Sequence, residues 1–155
     1  MGNLIWHEYS RYVSLTASVY LIWASFWGML YRKFFWDFVG GILRAPGGLQ
    51  PASNVTFFIS IIVKAPVIQI LSMLLAFAII ALDYPLPLLK NTSIHRSLAV
   101  RVVLLLFQAF LAIMFYQGTN GAIYSIIAAM GYTRAVMLGE KMEEAKQNKG
   151  RGGKA

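Results

Sequence analysis

The sequence contains no cysteine, only two histidines and few charged residues. Without cysteine, disulfides, thiolate metal sites, cysteine nucleophiles and palmitoylation are excluded. Because His7 and His95 are the only histidines, a histidine-rich metal site is not expected either. Nucleophile elbows, phosphate-binding loops and zinc-binding helices are also missing from the sequence. We therefore expect no catalytic residue, no metal site and no cofactor.

Charged residues make up 13% of the 155 residues, whereas hydrophobic residues make up 58%. A soluble chain of this length buries too little surface to hide so much apolar area. The charges cluster between apolar stretches, so we expect a lipid bilayer to cover the apolar side chains. The formal net charge is +8, and we expect the basic residues at the ends of the apolar segments to meet anionic lipid head groups. Nucleic acid is not an expected partner.

Four apolar segments approach the roughly 20 residues that a helix needs to cross a bilayer. The predicted spans are residues 12–30, 65–82, 98–116 and 121–137. Lys64 and Pro66 interrupt the second span, so residues 57–63 are either a kinked extension or an interfacial segment. The turn at residues 117–120 is short, so spans three and four should be antiparallel neighbours. The predicted fold class is an all-α membrane protein, a four-transmembrane-helix bundle.

The segments between and after the spans differ in character. Residues 33–44 have an apolar and a charged face, which predicts an interfacial amphipathic helix, either a collar around the bundle or a lipid-sensing element. Residues 138–155 are polar and rich in Lys and Gly, which predicts a basic, disordered tail after a membrane domain at 1–137. Basic residues are more numerous on the side of the termini, so a multi-pass protein with both termini in the cytoplasm is expected.

Four stretches carry a family resemblance: RKFFWDFVGG, LDYPLPLLKNTSIHRS, TSIHRSLAVRVV and FYQGTNGAIYSII. In this order they resemble a family of small fungal membrane proteins that is classified as a domain of unknown function. The likeness covers roughly residues 1–135, with YQGTN and the TSxHRS element as its most specific pieces. It implies a multi-span membrane protein of fungal origin. It implies no activity, cofactor or partner, and it supplies no catalytic residues.

A polar cluster is expected where span two ends and span three begins, and it contains Asp83, Tyr84, His95, Arg96 and Arg101. One interpretation is a binding site for an anionic phospholipid head group, with Arg96 and Arg101 on the phosphate and His95 as a proton carrier. The other interpretation is an ion pair between Asp83 and a basic residue, combined with anchoring at the membrane surface.

Three further polar residues lie in or beside span two and span three. Lys64 next to a proline can mark a broken helix that lines a transport path, together with Gln69 and Gln108. The alternative is that Lys64 is a snorkelling anchor and that the two glutamines are hydrogen-bond partners between helices.

Small residues recur on two of the predicted spans. Gly121, Ser125 and Ala129 form a stripe at four-residue spacing on span four, and Ala24 and Gly28 offer a complementary stripe on span one. Such stripes allow close helix packing, either within one chain or between chains.

These patterns leave three functions open. The first is a non-catalytic accessory or scaffold subunit that packs against a membrane-protein partner or itself. The second is a small oligomeric transporter or channel, and the third is a lipid-binding or lipid-modifying protein. The lipid bilayer is the partner common to all three.

Overall fold

The computed structural model describes residues 4–33, 56–84 and 92–141, which form helices and no strand. The helices are α1 (Trp6–Leu30), α2 (Thr56–Ile59), α3 (Val67–Asp83), α4 (Ser93–Arg96), α5 (Leu98–Ile113) and α6 (Thr119–Met137). A π-helical segment, Ser60–Lys64, continues α2, and a 3₁₀ turn, Tyr116–Gly118, precedes α6. The all-α prediction is confirmed for the described residues.

The four long helices form a bundle with up-and-down order. α1 packs against α3 and α6, and α5 packs against the same two helices. Contacts of α1 with α6 join His7 to Glu140 and Tyr20 to Asn120, so these two helices are antiparallel. The starts of α1 and α5 therefore lie beside the ends of α3 and α6, at what we call the terminal end. The opposite end carries the 3₁₀ turn and is called the turn end.

The helices differ from the predicted spans mainly at their ends. α1 begins six residues before the predicted 12–30 because Glu140 caps its first turn. α5 stops at Ile113, short of the predicted 98–116, because the chain enters the 3₁₀ turn there. α3 begins two residues later than the predicted span, and α6 begins two residues earlier. The interfacial segment 33–44 beyond Lys33 and the tail beyond residue 141 lie outside the described residues.

Pro66 breaks the helix before α3, and the two pieces meet at an angle of 65°. Proline has no N–H, so the carbonyl of Ile62 cannot receive the usual bond from position 66. The Gln69 side-chain amide donates to that carbonyl instead, at 3.0 Å. Arg32 Nη1 donates to the carbonyl of Lys64 at 2.9 Å. These bonds stabilise the bent arrangement of the two helical pieces at the proline.

By length and composition, one helix of the described residues, α1, can cross a membrane by itself. The bent pair Thr56–Lys64 and Val67–Asp83 also qualifies if both pieces belong to one span. α5 is apolar but has 16 residues, which gives a length of about 24 Å at 1.5 Å per residue. α6 contains polar and small residues along its whole length, which lowers its hydropathy.

Polar residues lie inside the bundle and large apolar residues lie on its surface. Ser10, Ser14, Ser18, Gln69 and Gln108 are fully buried. The outward-facing side chains of the long helices are mostly aliphatic or aromatic, for example Val19, Phe26, Leu74, Phe77, Val103, Phe110, Ile123 and Met130. The interior also contains an apolar core, but so many exposed large apolar side chains together with buried polar ones are not expected for a soluble helical bundle.

Candidate functional site

The carboxylate of Asp83 is the centre of a buried polar network at the terminal end. Asp83 ends α3 and is 1% exposed. Its Oδ1 accepts hydrogen bonds from Arg101 Nε at 2.8 Å and from the Tyr132 hydroxyl at 3.0 Å. Its Oδ2 accepts a hydrogen bond from the Ser14 hydroxyl. The four residues come one each from α1, α3, α5 and α6, so a single carboxylate joins all four long helices.

The guanidinium of Arg101 is 2% exposed and is surrounded by acceptors. Besides its bond to Asp83, it donates from Nη2 to the carbonyl of Leu82 at 2.7 Å and from Nη1 to the carbonyl of His95. The Leu82 carbonyl is available because the last carbonyls of a helix have no partner within it. The guanidinium carbon of Arg101 lies 6.0 Å from the centre of the Tyr132 ring. Buried charges need such compensation, and Arg101 obtains it entirely within the protein.

His95 lies at the edge of this network, in the short helix α4. Its Nδ1 is 3.0 Å from the carbonyl of Leu82 and 3.2 Å from Arg101 Nη2. Burial and the nearby charge of Arg101 lower the pKa of His95 from its ordinary value of 6.5. A neutral imidazole avoids a second positive charge beside Arg101. When Nδ1 carries the proton it donates to Leu82, and when it does not it accepts from Arg101.

The structure brings together three of the five residues of the predicted cluster. Asp83, His95 and Arg101 are in contact, whereas Arg96 is exposed and Tyr84 is 69% exposed outside the network. Arg101 faces inward with its guanidinium bound within the protein, so its role as a ligand for lipid phosphate stays a prediction that this geometry does not favour. The geometry matches the ion-pair interpretation instead.

Glu140 forms a second buried contact at the terminal end. Its Oε1 accepts from the backbone N–H of Trp6 at 3.0 Å, and its Oε2 accepts from the backbone N–H of His7 at 2.9 Å. His7 Nδ1 is also 2.9 Å from Oε2. Gly139 adopts a φ of 68° at the end of α6, which turns the chain so that Glu140 reaches the start of α1. Glu140 belongs to the segment predicted as a disordered tail, but it is 5% exposed and caps α1.

Gln108 connects helices in the middle of the bundle. Its Nε2 donates to Ser125 Oγ at 2.9 Å and approaches Ser18 Oγ at 3.4 Å. Ser125 in turn donates to the carbonyl of Gly121 at 2.7 Å. Gln108 therefore joins α5 to α6 and α1 as a hydrogen-bond partner between helices.

The three residues proposed to line a path have different environments. The side chain of Lys64 is exposed at the proline break. Gln69 is fully buried, and its amide donates to the carbonyls of Ile62 and Gly28. Gln108 is buried at the helix contacts described above. Two surface grooves at the terminal end are lined by other residues.

The small residues predicted for packing are buried inside the bundle, and two of them permit close contacts between helices. A Cβ at Gly28 would lie 3.0 Å from a ring carbon of Phe115, and a Cβ at Gly121 would overlap the side chain of Leu21. Ala24 and Ala129 are 0% and 2% exposed. The stripe on α6 therefore packs within the chain.

Some residues of the site were not predicted from the sequence. Ser14 belongs to a recurring series of serines on α1, so a polar face on span one was a usable signal. Tyr132 and the pair His7–Glu140 gave no local signal, because their partners are far away in sequence. Gly131, where a Cβ would overlap Ser10 Oγ, was not singled out either.

The described residues contain no group of three or more His, Cys, Asp or Glu side chains suited to a metal ion. The described residues form a helical bundle with a buried ion pair and further polar side chains among the apolar residues of its interior. Residues 1–140 match the model of a protein family described as Domain of unknown function (DUF7727). The chain belongs to this family. No curated protein and no solved structure matches the chain.

Proposed function

We propose that this chain is a four-span integral membrane protein that serves as a non-catalytic accessory subunit and packs against the transmembrane helices of a partner protein. The partner-binding part of this proposal rests on a row of aromatic side chains along the second half of α1 and directly after it, which we call the aromatic ridge and which comprises Tyr20, Trp23, Trp27 and Tyr31. The resemblance found in the sequence also implies a fungal source, which stays a prediction.

The exposed apolar side chains and the buried polar ones support the membrane part of the proposal. In water, many large aliphatic and aromatic side chains on all four long helices would be exposed to solvent. In a bilayer the same side chains face lipid, and buried polar side chains such as Ser10, Ser14 and Gln108 bond to backbone groups or to other side chains inside the bundle. α5 and α6 are about 24 and 28 Å long at 1.5 Å per residue, close to the hydrocarbon thickness of about 30 Å.

The distribution of basic residues supports cytoplasmic termini. The described basic residues at the terminal end are Arg11, Arg96, Arg101, Arg134 and Lys141, against Arg32, Lys33 and Lys64 at the turn end. Basic residues favour the cytoplasmic side of a membrane protein. The tail beyond residue 141 adds further lysines on the side of the termini.

The aromatic ridge consists of Tyr20, Trp23 and Trp27 on α1 and of Tyr31 directly after it. Consecutive ring centres are 5.7, 6.4 and 6.0 Å apart. Trp23 and Tyr31 are 57% and 58% exposed, and Trp27 is 36% exposed. Tyr20 and Tyr31 are eleven positions apart, which corresponds to about 16 Å at 1.5 Å per residue. A ridge of this length, measured from the membrane surface, reaches roughly halfway through the hydrocarbon core. An aromatic belt at the membrane surface occupies only the head-group level. Large aromatic side chains dominate binding energies between proteins, so this deep ridge suits a helix of a partner protein.

The transporter alternative has less support from the contacts. A transport path needs polar groups that face an opening, whereas the amides of Gln69 and Gln108 donate to groups within the bundle. Lys64 is exposed at the turn end, away from the middle of the bundle where Gln108 lies.

Cysteine labelling tests the four-span topology, because the natural chain has no cysteine to interfere. Single variants at the turn end are Lys33→Cys and Asn120→Cys, and those at the terminal end are Arg96→Cys and Lys141→Cys. In sealed membrane vesicles, an impermeant maleimide should label the two pairs from opposite sides. Labelling of both pairs from one side would contradict the four-span topology.

Photo-crosslinking tests the partner. A photoreactive phenylalanine analogue at Trp23 or Trp27 should give a discrete adduct with another membrane protein in native membranes. Val103 is 65% exposed on α5 and serves as the matched control, where no discrete adduct is expected. An adduct at twice the chain mass of 17.3 kDa would identify a second copy as the occupant and overturn the proposed heterologous partner. Equal diffuse labelling at all three positions would mean that the ridge faces lipid only.

A further inference from the structure

A shallow groove of about 530 Å³ runs over the outer surface of α6 at the terminal end. Its floor includes the small residues Ala129 and Gly131, and its walls come from α5 and from the start of α1. Large apolar side chains line most of it, including Leu106, Ile126, Ile127, Met130 and Met137. The groove therefore has the apolar surface that a lipid acyl chain requires.

One cation lines this apolar groove. Arg134 is half-buried in the last turn of α6, and within residues 4–33, 56–84 and 92–141 its side chain has no hydrogen-bond or ion-pair partner. Trp6 and Tyr9 line the same groove, with their ring centres 6.3 Å apart in an edge-to-face contact. A guanidinium beside interfacial aromatic rings is a suitable ligand for the phosphate of a lipid head group.

The length of the groove fits one leaflet of a bilayer. From Ile126 to Met137, α6 rises about 16 Å at 1.5 Å per residue, roughly half of the 30 Å hydrocarbon core. Arg134 lies near the head-group end of this distance, where an arginine side chain can reach the membrane surface. A phosphate at Arg134 therefore directs an acyl chain down the groove toward the middle of the bilayer.

We infer that this groove binds one phospholipid molecule, with its phosphate on Arg134 and one acyl chain along α6. The inference moves the lipid site away from Arg101, which is neutralised by Asp83, to a cation that no described residue neutralises. It rests on the proposed membrane insertion of the bundle. Failure of the insertion would appear in the cysteine labelling, whereas failure of this site leaves that labelling unchanged.

Native mass spectrometry of the full chain in mild detergent, with phosphatidylglycerol added, tests the site. The wild-type protein should retain one phospholipid, and Arg134→Ala should reduce the occupied fraction roughly tenfold or more because the charged contact is lost. Arg134→Lys should retain more lipid than Arg134→Ala. Arg96→Ala removes an exposed cation from the same end of the bundle without touching the groove, so it should bind as the wild type does.

A second pair of variants tests the acyl-chain path. Met130→Trp fills the groove from an exposed position and should reduce lipid retention, whereas Ile123→Trp lies on the same helix outside the groove and should not. Equal retention in wild type, Arg134→Ala and Met130→Trp would overturn the inference. So would a wild-type protein that retains no lipid, or an adduct with the mass of a free fatty acid.

Discussion

Asp83 and Arg101 form an ion pair with 2.8 Å between Oδ1 and Nε, and neither side chain is more than 2% exposed. Such a pair is costly to break, because removing one partner leaves the other charged and buried. Serine, tyrosine and backbone groups from the other elements complete the shell around both ions. The pair therefore determines how the ends of all four long helices meet.

Asp83→Asn should lower the free energy of unfolding by about 3–5 kcal/mol, because Arg101 then remains charged without a buried counter-ion. Thermal unfolding in detergent, monitored by circular dichroism, measures the loss. The double variant Asp83→Asn with Arg101→Leu should be more stable than Asp83→Asn alone. Glu8→Gln removes a carboxylate from the first turn of α1 and should cost less than about 1 kcal/mol. Equal losses for Asp83→Asn and Glu8→Gln would show that the ion pair does not hold the bundle.

Glu140→Ala should destabilise the start of α1, because three donors lose their acceptor. The expected loss is about 2 kcal/mol, with faster hydrogen exchange at the amides of Trp6 and His7. Glu140→Gln retains one neutral acceptor oxygen and should have an intermediate effect. Unchanged exchange at these two amides in Glu140→Ala would contradict the capping role.

Gly121→Ala should lower stability because the added methyl group overlaps Leu21. Combining it with Leu21→Ala should cost less than the sum of the two single losses, by about 1 kcal/mol or more, since the second change makes room for the first. Gly139→Ala is the control: its Cβ meets open space, but its φ of 68° makes alanine unfavourable by about 1 kcal/mol. Leu21→Ala should leave that cost unchanged. Strict additivity for the Gly121–Leu21 pair would contradict the close contact.

The stability of the bundle should fall as the pH drops below about 6.5. Burial and Arg101 lower the pKa of His95 in the folded protein, so the unfolded chain binds a proton more readily in this range. Protonation places a second cation beside Arg101, with Arg96 nearby and Asp83 as the opposing charge. The loss should level off below the pKa of the folded state. Melting temperatures from pH 8 to pH 5 measure this slope, and His95→Gln should reduce it. The same slope in both proteins would exclude His95 as its source.

Much of the secondary structure is predictable from the sequence. The apolar segments gave α1, α3, α5 and α6 with errors confined to their ends, and Pro66 marked the break before α3. The short turn at residues 117–120 predicted antiparallel neighbours, and α5 and α6 pack against each other in this arrangement. These features depend on local composition and chain length, so a single sequence contains them.

The polar cluster was predictable only in part. Asp83 and Arg101 are 18 residues apart, at the end of α3 and the start of α5, so a hairpin of these two long helices brings them together and the sequence indicates the pair. The direction of Arg101 was not indicated, because it depends on the acceptors offered by Leu82 and His95. A guanidinium at a helix start can point to lipid or to the core, and only packing determines which.

By itself, the sequence determined the helices, their apolar character and the excess of positive charge at the terminal end, because each follows from residues close together in the chain. The tertiary structure decided which helices are neighbours and which atoms meet. It brought Ser14 and Tyr132 into hydrogen-bond contact with Asp83. It also brought Glu140 into contact with His7, 133 residues away in the sequence. Hydrogen bonds and close contacts require separate helices to be placed to within a few tenths of an ångström, and composition does not specify that placement.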